Sequence, residues 1–584
     1  MSEPINSIRK FLSNGAGKSI PLFLVLVLIG MIIGIALNWY QQVKATDVGT
    51  SVTVSNAAPS FTVDPYESPA SYSDSPTNAG SDVTFKATAD DPNGEQWYLA
   101  VCKTDSVSAT NGGAPTCPGG EWCISGATSD GSEASCSYTT QDADSESNEW
   151  YAFACDGNSS DAKCSSYSQG SGNSGTPFKV NHRPSFTAFS DDSPKDPGQT
   201  VTWTATASDS DTDGTADTVT LYVCKANDFT GTACGAGGEW CHSTATSSNP
   251  SCSYTLPTPY QDKDYNAYGF VIDNHNFAAS GGSQGTDSTL TVNNVAPSVS
   301  NIQLLDTDED GNLTLTEAEG ETTGFKVKFT VTDNNSCQNA TGGDEIVSAI
   351  INVYRSGIGQ ASCQASGDYN ANNCYPDAYA NWNPTCSQDA GTCSGAGDSD
   401  ADWTCTFPLQ YHADPTVTGS QYPDENWLAS VQVTDDDSAT STLTESSTGN
   451  EMAMFMAYDV IESSIAYGNV SAGDTSSQQE TTVKATGNVG LDENLSGTDM
   501  TSGANTIAVG QQEHSFTSGF SYGTGTDLTT TATEYELNCS KTTDTANPAT
   551  KKTYWLLQVP SDTPAGTYSG TNTIEGVTGE SADW

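Results

Sequence analysis

Part of this 584-residue chain is written twice, and that duplication limits its possible folds more than any other feature. Val83–Asp90 (VTFKATAD) is answered by Val201–Asp209 (VTWTATASD), and Leu99–Lys103 (LAVCK) by Leu221–Lys225 (LYVCK). Gly119–Cys123 (GGEWC) is answered by Gly237–Cys241, and Cys136–Thr139 (CSYT) by Cys252–Thr255. A longer, degenerate third copy follows, in which Asn426–Val433 answers Asn148–Phe153 and Cys405 stands where Cys136 and Cys252 stand. Before each copy a strand-like run ends in Asn, a short spacer and Pro-Ser, at Pro59, Pro184 and Pro297. That spacing of about 110–125 residues is the size of one small β-sandwich.

Within the copies, apolar and polar residues alternate over short runs such as Val83–Ala87, Val201–Ala205 and Phe325–Val331. A period of two places one face in a core and the other in water, as in half-buried strands. No long helical period occurs after Tyr40, so the expected fold class is all-β: tandem immunoglobulin-like β-sandwich modules preceded by one N-terminal transmembrane helix. Lys and Arg number 19 against 72 Asp and Glu, a formal charge of −53. Such a surface repels polyanions, which argues against nucleic acid or anionic lipid as the main partner and fits a solvated surface, a saline environment or divalent-cation binding.

The helix is read from Ile20–Leu37, an uncharged apolar run of about 27 Å at 1.5 Å per helical residue, enough to cross a bilayer. Arg9, Lys10 and Lys18 precede it and Trp39 and Tyr40 follow, which points to a cytoplasmic N-terminus and an extracellular remainder. A cleaved signal peptide and a pilin-like leader are the competing readings of this segment. The Gly30–Gly34 spacing would let two such helices pack closely. The expected organisation is residues 1–19 cytoplasmic, 20–40 transmembrane and 41–55 linker. Ig-like modules follow at 56–180 and 181–292, a degenerate one at 293–447, and a different β-sandwich at 448–584.

Seventeen cysteines in an extracellular chain read as disulfides. Cys102, Cys117, Cys123, Cys136, Cys155 and Cys164 fall in the first module, and Cys224, Cys234, Cys241 and Cys252 in the second. Cys337, Cys363, Cys374, Cys386, Cys393 and Cys405 fall in the third. Each group is even and closes within itself; the pairing stays open, apart from a local bridge expected between Cys155 and Cys164. Cys539 is left unpaired, either buried or free to bridge two chains.

The Asn-x-x-Pro openings, the strands ending in Ala-x-Asp-x-Asp and the repeat length resemble the Ig-like, PKD-like or cadherin-like repeats of prokaryotic cell-surface proteins. The closing segment from Trp555 to Gly570 is similar to terminal sandwiches of archaeal and candidate-phylum bacterial envelope proteins. The Trp-Asp-Phe-Gly-Asp-Gly signature of PKD domains is absent. The resemblance implies scaffolding or adhesion rather than chemistry. A surface-layer or filament component, or a cell-contact adhesin, is the leading expectation, with self-association or another surface protein or glycan as partner. A carbohydrate-binding accessory to glycan degradation is the alternative.

Asp306, Asp308, Asp310, Asn312 and Glu317, with Gly311 between, match the spacing of an EF-hand calcium loop in a strand context. Asp209, Asp211 and Asp213 repeat the start of that pattern, and Asp90–Glu95 is its counterpart in the first module. Calcium is therefore the expected cofactor. Asn158, Asn334, Asn339, Asn469, Asn494 and Asn538 open glycosylation sequons, as does Asn312 inside the acidic loop. Two GxSxG matches, at Ser283 and Ser521, lack the strand–helix context of a nucleophile elbow. His182, His242, His275, His412 and His514 have no zinc-protease spacing, so no enzyme is expected. Trp122, Trp150, Trp203, Trp240 and Trp427 read as core residues, with sugar-stacking platforms as the alternative.

Overall fold

The computed structural model describes residues 49–584 except 213–215 and 365–368. The expected cytoplasmic segment, transmembrane helix and most of the linker lie outside these residues, as does Asp213. No helix among the described residues is long and apolar enough to cross a membrane.

Four stacked-sheet units follow one another. In the first, the antiparallel sheet Ser60–Glu67, Asp82–Asp90 and Glu133–Thr139 faces the sheet Tyr151–Asp156, Trp97–Cys102 and Glu121–Ile124. The predicted alternation is realised: Val83, Phe85, Ala87 and Ala89 point inward, against Trp97, Leu99, Val101, Ala152 and Ala154 of the opposite sheet. The second unit repeats this order. Ser185–Asp191, Thr200–Ser208 and Ser251–Thr255 face Glu239–His242, Val219–Cys224, Tyr268–Asp273 and Thr286–Asp287. In the third, four-stranded sheets centred on Glu321–Thr332 and on Ile346–Arg355 enclose the largest apolar cluster. All three are immunoglobulin-like sandwiches, with first, second and fifth main strands in one sheet and third and sixth in the other.

The fourth unit is built differently. A five-stranded sheet, ordered Tyr458–Val460, Gln479–Ala485, Thr550–Leu557, Gln512–Ser515 and Thr526–Asp527, packs on Thr533–Cys539, Leu491–Gly497 and Asn572–Thr578. Its core divides into two small clusters, one around Trp555 and one around Leu491.

Eight disulfides staple the first three sandwiches. The first holds Cys102–Cys117, Cys123–Cys136 and Cys155–Cys164, and the second Cys224–Cys234 and Cys241–Cys252. Cys337–Cys393, Cys363–Cys374 and Cys386–Cys405 complete the third. Every bridge is internal to one sandwich, and the first two sandwiches share the same pair of bridges. Closing such loops stabilises small cores by about 3 kcal/mol each in the chain-entropy model. Cys539 is a buried free thiol, and burial pushes its pKa up to about 11.

Candidate functional site

The three sandwiches are entered through one recurring joint. Each main strand before the first sheet crossing ends in Asp-x-Asn or Asp-x-Asp: Asp91 and Asn93, Asp209 and Asp211, Asp333 and Asn335. In all three, the carboxylate of the first residue accepts the backbone N–H of the second, at 2.6, 2.9 and 2.7 Å. This is an Asx turn, and it holds the loop that faces the incoming chain.

The incoming chain supplies the Asn of Asn-x-x-Pro. Asn56, Asn181 and Asn294 donate through Nδ2 to Asp156, Asp273 and Asp435, at 2.8, 2.9 and 3.0 Å. Those aspartates are the last residues of the equivalent strands Tyr151–Asp156, Tyr268–Asp273 and Trp427–Asp435. The residue after each Asn then donates its N–H to the Asx-turn partner: Ala57 to Asn93, His182 to Asp211 and Val295 to Asn335, at 2.8, 2.6 and 2.7 Å. Nothing in a covalent linker requires this coincidence; three joints share one hydrogen-bond plan.

A further carboxylate stands just before the next strand in each case: Glu95, Asp217 and Glu345. Oxygens of Asp91, Glu95 and Asp156 lie within 4.8 Å of one another, as do those of Asp209, Asp211 and Asp217. At the third joint Asp333 and Glu345 are almost wholly buried, and the preceding sandwich contributes Asp262. Burial and like charges raise these carboxyls. Asp209 and Asp333 reach about 6, mainly through burial, with neighbouring aspartates adding to it. Asp262 reaches about 7 and Glu345 about 9, again chiefly through burial, with Asp436 and Asp437 close by.

Few cationic groups answer this charge. Lys163 Nζ donates to the backbone oxygen of Asn56 at 2.5 Å and pairs with Asp161 at 3.2 Å. His182 Nδ1 lies 2.8 Å from Asp211, and His275 Nε2 3.6 Å from Asp217.

Adjacent sandwiches also touch directly at these joints. Thr212 N–H donates to Glu146 of the first sandwich at 3.0 Å, and Phe277 of the second sandwich, with Arg183 stacked 3.9 Å over it, packs against the core of the first. Between the second and third, Tyr260 N–H donates to Asn334 O at 3.0 Å, and Gln261 Nε2 reaches Gln338 O at 3.1 Å and Asn339 O at 3.0 Å.

Among the expected ligands, Asp209 and Asp211 are brought together. Asp306, Asp308, Asp310 and Glu317 belong to none of the acidic groups that meet among the described residues. Asp306 is buried and accepts the N–H groups of Asp308 and Glu309, whereas Asp308, Asp310, Asn312 and Glu317 face solvent. Glu309 is held by Lys326 and Lys328, which holds its carboxyl down at about 2. Leu313 and Leu315 are buried in the core, and Leu313 forms a β-bridge with Met452. Sequence reasoning missed Asp156, Asp273 and Asp435, whose signal was an Asp ending the same strand in each copy.

Of the sequon asparagines, Asn334, Asn469 and Asn538 are exposed, and Asn339 and Asn494 half-buried. Asn158 is half-buried and uses its amide to donate to Glu95 at 2.9 Å, so a glycan there would disturb the first joint. All five tryptophans named above are buried. Trp122 and Trp240 are each capped by a lysine, Lys103 at 4.0 Å and Lys225 at 4.6 Å, another feature the copies share. Ser283 is buried in a turn, and Ser521 stands on a turn-rich loop.

No family model matches the chain, and no curated protein sequence matches it. Among solved structures, a marsupial T cell receptor is 10% identical, with 66% of this chain and 100% of that chain covered, at a TM-score of 0.26. An ICAM-5 D1–D4 ectodomain fragment is 9% identical over 88% of this chain and 99% of that one, at 0.21. The native conformation of E. coli alpha-2-macroglobulin is 8% identical over 86% and 27%, at 0.15. These overlaps are too slight to argue from, and the assignment to immunoglobulin-like sandwiches rests on the sheets described above. Internal disulfides in sandwiches of this kind fit an oxidising, extracellular type of setting.

Proposed function

We propose that the chain is a membrane-anchored structural or adhesive protein of a cell surface, in which the sandwiches form a stiff spacer. The anchor in this reading is the apolar run Ile20–Leu37, and the extracellular side carries residues 41–584. Contact would be made by self-association into a lattice or filament, or with a protein or glycan of another surface. Repetition along the spacer would multiply weak contacts. Calcium belongs to the same proposal as the ion that stiffens it, and exposed sequon asparagines would carry glycans. No catalytic role is proposed.

The observation that supports this most is the threefold joint. A flexible string of domains needs only polar linkers, whereas here each linker Asn is hydrogen-bonded into the sandwich it enters. The glycan-binding alternative loses its named platforms, since the five tryptophans are inside the cores. Small-angle scattering of the full chain in detergent micelles tests the reading. An elongated protein component, several sandwiches long, is expected; a protein component no longer than two sandwiches would overturn it.

A further inference from the structure

The three joints share more than hydrogen bonds: each buries acceptor atoms that no donor meets. At the first these are Asn56 Oδ1, Asp91 Oδ2 and Glu95 Oε2. At the second they are Asn181 Oδ1 and Asp209 Oδ2, and at the third Asn294 Oδ1, Asp333 Oδ2 and both oxygens of Glu345. Several of the side chains involved are almost fully enclosed: Asp91 is 4% exposed, Asn181 1%, Asp333 1% and Glu345 0%. Buried polar atoms in native proteins have partners almost without exception, and the unpartnered atoms here are all amide or carboxyl oxygens with lone pairs to offer. Surrounding carboxylates add negative charge, which burial makes expensive unless a counter-charge is present. Acid oxygens converge within 4.8 Å at the first two joints, and a cation there supplies the partner that no donor does.

We propose that each Asn-x-x-Pro joint is a binding site for one calcium-like divalent cation. Its core ligands would be the linker Asn carbonyl, the first Asp of the Asx turn and the acid just before the next strand. These are Asn56, Asp91 and Glu95 at the first joint, Asn181, Asp209 and Asp217 at the second, and Asn294, Asp333 and Glu345 at the third. Calcium takes about six to eight oxygens from carboxylates, amide carbonyls and water at flexible angles, which suits mixed donors of this kind better than magnesium's strict octahedron. The linker Asn does two things in this scheme. Its Nδ2 binds the aspartate ending the sixth strand, and that bond leaves its oxygen for the ion. Because the ligands come from the linker and from the sandwich it enters, the ion would lock the angle between them. The inference concerns the joint alone and stands whatever surface the protein serves.

Calcium titrated calorimetrically into chelator-treated full chain in detergent is the test, with terbium luminescence as a second readout of direct binding. Three sites per chain are expected, with Glu95→Gln, Asp217→Asn and Glu345→Gln each removing one while the near-UV circular dichroism keeps its folded signature. Asp310→Asn, in the loop of EF-hand spacing, should leave the count at three. Absence of binding at millimolar calcium, or a count unchanged in folded joint variants, would overturn the proposal. A loss seen only in Asp310→Asn would also overturn it, by moving the ion to the other loop. The scattering experiment can fail while these sites are found, and the reverse, so the two readings are separable.

Discussion

The chain enters its sandwiches in two ways in this molecule. At the first three joints carboxylates face each other across the linker. At the fourth, between the third and last sandwiches, the protein supplies its own cation. Lys541 is buried there and donates to Asn372 Oδ1 and His412 O, each at 2.8 Å, while pairing with Asp414 at 3.1 Å. Arg355 lies 3.2 Å from the other oxygen of Asp414, pairs with Glu425 at 2.6 Å and stacks 3.5 Å over Tyr422. Acceptors of the same chemical type are left open in one place and closed in the other. The difference teaches that a joint carrying its own counter-charge is permanent, whereas one that borrows it can be set by the surroundings.

The sharpest way to break the comparison is to remove the internal cation. Lys541→Met leaves Asp414 with Arg355 alone and strips donors from Asn372 and His412, at a site where Lys541 is only 5% exposed. Deleting one partner of a buried pair costs about 3–5 kcal/mol. Chemical denaturation of the full chain should show that loss, and it should be the same in calcium and in chelator. A loss that calcium repairs would mean that the fourth joint is not self-sufficient.

A third way of treating a buried carboxyl sharpens the contrast. Glu493, in the fourth sandwich, is fully buried, accepts a hydrogen bond from Thr553 and has its other oxygen unpartnered. Burial raises its pKa to about 7 from an ordinary 4.5, so this group keeps a proton instead of a cation. The native state therefore binds more protons than the unfolded chain between those values, and its stability falls as pH rises through that window. Glu493→Gln should be nearly neutral at pH 4 and about 2–3 kcal/mol more stable than the parent above pH 7. Melting curves of both proteins across that range would show it, and parallel pH profiles would refute it.

Much of this architecture could be read in advance because it repeats. Alternation in Val83–Ala87 and Val201–Ala205 specified strands, and the even cysteine groups matched bridges internal to each sandwich. Disulfide pairing was not legible, since four cysteines close equally well in three ways until the sheets set which strands adjoin. The acidic site was half legible. Asp209 and Asp211 stood out as a local cluster, but Asp273 lies about 60 residues further on and Asn181 about 30 before, and only the sheet register unites them. At Asp306–Glu317, Leu313 and Leu315 are buried in the core, and two lysines on the neighbouring strand take Glu309.

Two asparagines give the finest form of the comparison. Asn181 donates to Asp273 and to Asn78, each at 2.9 Å, but its carbonyl has no partner. Asn488, at the fourth joint, donates to Ala413 O at 3.1 Å and Ala453 O at 2.9 Å, and its carbonyl accepts Phe455 N–H at 2.6 Å. Truncation to alanine removes two donated bonds in either case, about 1–2 kcal/mol, while Asn488→Ala also orphans a backbone donor. In chelator, then, Asn488→Ala should be the more damaging of the two. Calcium should reverse the order, because only Asn181 has an oxygen to offer an ion, and its loss would cost the second joint a ligand as well as a hydrogen bond. Melting temperatures of the two variants in calcium and in chelator decide this. If their order is the same in both, the open carbonyl of Asn181 is not used by a cation, and the four joints differ only in how they are packed.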